Sequence, residues 1–150
     1  MSMQTGLSFE QAPPFAQPLR FFLTAPLFLL AAAGLIMLAP TALASRWTLP
    51  ALALTHALTL GFLAMAMLGA LLQMLPVVAG AALPASRGVA ASTHFLLAAG
   101  TVALMAGFLG TDARALAAAM LLLGCGFAVF LAATAIGQRE GGRGTGWSSG

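Results

Sequence analysis

Charged residues are almost absent from this sequence, and their positions decide what the chain can fold into. Its 150 residues include six arginines and three acidic residues, which leave long stretches without any charge. The mean hydropathy is +1.01, and a soluble domain would carry about a quarter charged residues. Such a chain cannot solvate its own surface in water. We therefore predict an all-α integral membrane protein with the lipid bilayer as its solvent.

Four uncharged stretches each have the length of a membrane-spanning helix. About 20 apolar residues cross the hydrocarbon core of a bilayer. The charges, with prolines and glycines around 76–84, place predicted helices at 20–44, 50–78, 88–111 and 115–137. They form a predicted four-transmembrane-helix bundle over 20–138, with both termini on the same side. A polar N-terminal segment, 1–19, precedes the bundle, and a glycine-rich tail, 139–150, is predicted to be disordered.

The arginines predict an orientation and exclude one class of partner. Four of them share the predicted side of the termini and two lie on the other side: Arg20, Arg87, Arg139 and Arg143 against Arg46 and Arg114. Under the positive-inside rule this distribution predicts cytoplasmic termini. Six scattered arginines cannot form a surface that tracks phosphates, so we expect no nucleic-acid partner. The single cysteine excludes an intrachain disulfide and a Cys/His zinc cluster.

Two histidines are the side chains inside the predicted spans that can do chemistry. Beyond Arg20 at the first residue of the first span, no Asp, Glu, Lys, Arg or Tyr stands there, so triads and carboxylate proton relays are excluded. What remains is His56 in the second helix and His94 in the third. We predict that both are metal ligands, because an ionisable residue inside a membrane indicates a functional site. The alternative is a neutral histidine that is hydrogen-bonded to a neighbouring helix.

Helical periodicity gives each of these two helices a histidine face and a glycine face. Met67 and Met74 follow His56 along one stripe, and Met105 follows His94. Such faces could accept heme, so the predicted cofactor-binding residues are His56, His94, Met67, Met74 and Met105. The alternative for the methionines is ordinary packing. Small residues on the other faces predict close helix contacts: Gly61, Gly69, Gly100 and Gly107.

The depths of the histidines limit how they could bind iron. The two helices are antiparallel, so a rise of about 1.5 Å per residue separates the histidines by roughly 20 Å. One heme in one chain cannot use both. Three arrangements stay open: two His/Met sites that pair His56 with Met105 and His94 with Met74, a homodimer that joins two copies of His56, or a single ligand.

The threonines beside the outer histidine have two interpretations. Thr55 and Thr59 could hydrogen-bond the His56 imidazole and fix its tautomer. Alternatively, their hydroxyls bond back to carbonyls of their own helix.

Residues 55–80, THALTLGFLAMAMLGALLQMLPVVAG, resemble the second-helix region of subunit I-like proteins of the heme-copper oxidase superfamily. The preceding PLRFFLTAP, 18–26, is similar to the NnrS family of nitric-oxide-response membrane proteins. The resemblance implies that His56 ligates heme b, that the membrane is a bacterial inner membrane, and that a respiratory-chain partner exists. The chain departs from these families in lacking a copper ligand set, and in having Leu58 and Thr59 where NnrS places a second histidine and a glutamate.

These observations lead to a functional hypothesis from each of three classes. The first is a small heme b-binding membrane protein, homodimeric, that transfers electrons or binds or senses a diatomic gas such as NO or O2; whether it is an enzyme stays open. The second is a noncatalytic accessory or assembly subunit of a respiratory complex. The third, a copper or solute carrier, fits the methionines but lacks a cluster of soft ligands.

Overall fold

Four long helices make up the part of the chain that the structure describes. The computed structural model describes residues 14–79 and 86–144, which contain no strand. Helix α1 spans Ala16–Leu38, α3 spans Ser86–Gly110 and α4 spans Ala113–Gly144; α2 is continuous over three segments, Leu49–His56, Ala57–Ala64 and Met65–Ala79. A short 3-10 turn, Pro40–Ala44, follows α1. Each helix is long and apolar enough to cross a membrane, which confirms the predicted four-helix membrane bundle.

Consecutive helices run antiparallel. Phe28 of α1 lies against Gly61 of α2. Phe21, earlier in α1, lies against Gly69, later in α2, so these two helices have opposite directions. Helices α1, α2 and α3 contact one another, whereas α4 packs chiefly on α3.

Glycines on α3 receive leucines from α4. A Cβ added at Gly107 would lie 2.6 Å from the Leu116 side chain, and one added at Gly100 would lie 2.8 Å from Leu123. These contacts, with those of α1 on the glycines of α2, confirm the predicted close approach along the glycine faces. The buried core lies between the helices and is apolar: Phe21, Ala25, Phe28, Met65, Leu68, Leu72, Ala90, Leu97, Phe130 and Ala133.

Helix α1 begins and ends earlier than predicted. It starts at Ala16 rather than residue 20, because Pro18 stands in the first turn, where a helix needs no N–H donor. It ends at Leu38 rather than residue 44, because Pro40 disfavours helical backbone at Ala39, which has φ −130° and ψ 72°. The predicted polar segment therefore loses its last residues to α1, and residues 1–13 lie outside the described part.

Helix α4 is longer than predicted. Its backbone continues to Gly144, so 139–144 are helical although the glycine-rich tail was predicted to be disordered from residue 139. Extending an existing helix fixes one residue for one hydrogen bond, which makes propagation far easier than nucleation. Gln138 and Arg139 are also good helix formers. Residues 145–150 lie outside the described part of the chain. The remaining boundaries fall within two residues of their predicted positions.

The middle of α2 departs from α-helical geometry. Residues Ala57–Ala64 form a π-helix, in which each hydrogen bond encloses one more residue than in an α-helix. His56 is the last residue before this segment, and Gly61, which receives Phe28, lies inside it. Residues that follow His56 at the α-helical spacing of 3.6 residues per turn therefore do not stay on one face of α2 across this segment. Segments of this kind are rare and are frequent at functional sites.

Candidate functional site

The imidazole of His56 is held in one tautomer by its own helix. Its Nδ1 lies 2.7 Å from the carbonyl oxygen of Leu52, one turn earlier in α2. A carbonyl oxygen can only accept, so Nδ1 carries the proton and donates it. In a neutral imidazole the other nitrogen, Nε2, then has a free lone pair. Nε2 makes no hydrogen bond to any residue in the described ranges.

Aromatic and apolar side chains surround this imidazole. The half-buried ring of His56 lies 5.2 Å from the ring of Phe108 in α3, at an interplanar angle of 32°. Ala57, the next residue in α2, is fully buried in a small cluster with Ala32 and Leu54. Among the described residues Nε2 has no hydrogen-bond partner, so its lone pair remains available to a ligand.

The threonines beside His56 do not fix its tautomer. Thr55 Oγ1 donates to the carbonyl of Ala51 at 2.9 Å, and Thr59 Oγ1 donates to the carbonyl of Thr55 at 2.8 Å. Both side chains therefore bond back to their own helix, as the second of the two sequence interpretations predicted. The backbone carbonyl of Leu52 has the positioning role instead.

The second histidine bridges two helices. His94 Nε2 in α3 lies 2.8 Å from Thr24 Oγ1 in α1, and Thr24 Oγ1 donates to the carbonyl of Arg20 at 2.8 Å. A hydroxyl has one hydrogen, so Nε2 carries its own proton and donates to Thr24. Phe21 of α1 meets the imidazole edge to face, at 5.1 Å between ring centroids. The two histidines thus have opposite tautomers, with the lone pair on Nδ1 in His94.

The histidines lie too far apart to share one metal ion. Because His56 contacts Phe108, the distance from Phe108 to His94 along α3 approximates the depth between the two sites. Fourteen residues at a rise of about 1.5 Å give about 21 Å, which agrees with the sequence argument. Each histidine is therefore a separate site within one chain.

The structure places the three methionines in different surroundings. Met105 is half-buried and packs on the cluster that includes Ala57, at the depth of His56. Met67 and Met74 are 55% and 59% exposed, on the outer face of α2. Phe21 lies beside His94, and the α2 residue that packs against Phe21 is Gly69 rather than Met74. The structure thus places Met105 at the depth of His56 but does not bring Met74 to His94.

Sequence reasoning missed two side chains that contact the histidines. Thr24 and Phe21 lie on α1, which has no histidine, and the periodicity of one helix does not reveal which neighbour it meets. A usable signal was present, since Thr24 is the one hydroxyl residue between Arg20 and Pro40. The contact between Phe108 of α3 and His56 of α2 also joins two helices, so the periodicity of either helix alone does not reveal it.

The metal-ligating side chains among the described residues limit which metal ions or cofactors the protein could bind. They contain no group of three or more His, Cys, Asp or Glu side chains placed to bind a metal ion. A cofactor that supplies most of its own metal ligands, such as heme, needs one protein nitrogen, and His56 Nε2 has the protonation state for that role. Comparison with known proteins adds nothing to this: no family model, no curated protein and no solved structure matches the chain.

Proposed function

We propose that this chain is a small integral membrane protein that binds b-type heme through His56 and acts in electron transfer or in binding a diatomic gas. The observation that carries the proposal is the hydrogen bond from His56 Nδ1 to the Leu52 carbonyl. Histidines that ligate metals almost always donate their other ring nitrogen to a carbonyl, carboxylate or water, which fixes the ring and raises its basicity. His56 has this arrangement through its bond to Leu52.

The surroundings of His56 fit a flat apolar cofactor. The Phe108 ring packs beside the imidazole, and the next residue of α2, Ala57, is buried among apolar side chains. Bound heme supplies a redox-active iron with a position that a second ligand or a gas can take. Met105 at the same depth, or His56 of a second copy, would supply such a ligand, and the latter makes the homodimer part of the proposal. Cytoplasmic termini, a bacterial inner membrane and kinship with the heme-copper oxidase and NnrS families are also proposed.

The accessory or assembly subunit is the second candidate, and His94 favours it. Its Nε2 is satisfied by Thr24 on a neighbouring helix, as expected for a histidine with a structural role. If His56 behaves in the same way, the protein is a scaffold whose apolar faces dock a larger respiratory partner. The ligand role that the sequence predicts for His94 stays a prediction.

Absorption spectra of the purified protein test the two candidates. The protein would be expressed with adequate heme, purified in mild detergent, and scanned in oxidised and reduced forms. We expect a Soret band that His56→Ala removes and that added imidazole restores in this variant, because free imidazole can replace the missing ligand. A colourless wild-type preparation from heme-supplied cells would overturn the proposal and favour the accessory subunit.

The matched control is His94→Ala. Loss of the bond to Thr24 should leave the Soret band unchanged and lower the free energy of unfolding by about 1 kcal/mol, as measured by thermal denaturation in detergent. If His94→Ala removed the band and His56→Ala did not, the assignment of the two histidines would be reversed.

A further inference from the structure

A cavity separates α1 from α3 on one side of the bundle. Its volume is about 640 Å³, within the range of small-molecule sites. Small side chains create the space: Ala31 on α1, and Ala98, Ala99 and Ala103 on α3. The core between α1 and α2 lies behind it, so the cavity is a feature of the α1/α3 face alone.

The mouth of the cavity opens toward the surrounding lipid. Phe95 and Val102 both line it and are 67% and 57% exposed. Since these residues lie in the middle of α3, a ligand would enter from within the bilayer rather than from water. Of the described residues that line the cavity, none carries a formal charge, so a charged head group would be bound there without a partner.

Two polar side chains in the lining, Thr24 and His94, set what the cavity can recognise. The Thr24 hydroxyl donates its hydrogen bond to the Arg20 carbonyl, and His94 Nε2–H donates to the Thr24 oxygen. No donor is left over, whereas His94 Nδ1 keeps its lone pair. The polar part of the cavity therefore selects a ligand that brings its own O–H donor.

We propose that this cavity binds a neutral, membrane-soluble molecule with a hydroxyl on its head group, of the quinol class, whose hydroxyl donates to His94 Nδ1. The apolar tail of the molecule lies along the alanines of α1 and α3. A quinone offers only carbonyl acceptors at its head, so the reduced form binds more tightly than the oxidised form. This binding does not depend on heme at His56, which lies about 21 Å away in depth.

Displacement of radiolabelled decylubiquinol from the purified protein in detergent, under anaerobic conditions, tests the proposal. We expect saturable binding, with decylubiquinol about three- to tenfold tighter than decylubiquinone, the effect of one hydrogen bond. His94→Phe should abolish this preference, and Ala99→Phe should abolish binding by filling the cavity. Ala128→Phe, at an exposed site on α4, is the matched control and should bind normally. His56→Ala should also bind normally, which separates this proposal from the heme proposal.

Competitors identify the source of the hydroxyl. If decanol displaces the probe as well as unlabelled quinol does, the ligand is a hydroxyl-bearing lipid; if decanol fails, it is a quinol, and both results support the recognised chemistry. Equal displacement by decyl methyl ether, which has no O–H, would overturn the proposal in favour of a plain lipid chain. Normal binding by Ala99→Phe would also overturn it. Val102→Trp provides a second block if Ala99→Phe does not purify as a folded helical protein.

Discussion

One residue in the short turn between α3 and α4 has an unfavourable backbone conformation. Thr111 has φ 53°, and it is the one non-glycine residue with positive φ in the described chain. This left-handed region is costly for a β-branched residue. The conformation is imposed by the turn, in which Asp112 N–H bonds to the Gly107 carbonyl at 3.0 Å, and Asp112 then caps α4 by accepting from Arg114 N–H at 2.9 Å.

We therefore expect Thr111→Gly to stabilise the protein by about 1 kcal/mol, as the strain released exceeds the added flexibility of the unfolded chain. Thermal unfolding in detergent, followed by the helical circular dichroism signal, measures the change. Thr111→Val keeps the branched side chain and the strain, and loses only the exposed hydrogen bond from Thr111 Oγ1 to the Gly110 carbonyl, so it should not stabilise the protein. A loss of stability in Thr111→Gly would show that the turn does not hold Thr111 under strain.

At the scale of the helix, glycine positions decide which faces meet. Periodicity alone separated the histidine faces from the glycine faces, and Gly61, Gly69, Gly100 and Gly107 all lie in helix contacts. Boundaries were less predictable, because Pro18 and the polar end of α4 were read as helix breakers although first-turn position and propagation allow helix there. The π segment had no visible signal, since it depends on how α2 fits its neighbours.

Gly107→Ala tests the contact between α3 and α4. The added methyl would lie 3.0 Å from the Leu116 backbone nitrogen, which cannot move without shifting α4. We expect a loss of about 1 to 3 kcal/mol in unfolding free energy from this overpacking, measured by thermal denaturation in detergent.

Gly124→Ala is the control for this substitution. It faces open space on α4 and should be neutral or stabilising, since alanine has the higher helix propensity. If the two substitutions changed the unfolding free energy equally, α4 would not pack against α3 at Gly107.

For the whole molecule, the sequence predicted the number and order of helices but not their neighbours. The positions of the charges and the lengths of the spans between them suffice to predict the number and order of the helices, because in lipid each helix must form its own backbone hydrogen bonds. Which side chains meet across helices depends on lateral packing. The partner of His94 on α1 and the cavity beside α3 therefore emerged only from the assembled bundle.

Unequal packing predicts unequal protection of the helices. In the most apolar stretch of α4, 17% is buried, compared with 28% in both α2 and α3. Local opening is easier where less surface is packed. In detergent, hydrogen–deuterium exchange followed by mass spectrometry should therefore show earlier exchange in α4 than in α2. Equal protection of the two helices would contradict this arrangement.

Because α4 seats chiefly on α3, every contact described for the two histidines comes from the first three helices. Substitutions on the exposed face of α4 should therefore leave the surroundings of both histidines unchanged. Phe130 and Ala133 are not free to vary in this way, because they belong to the buried core.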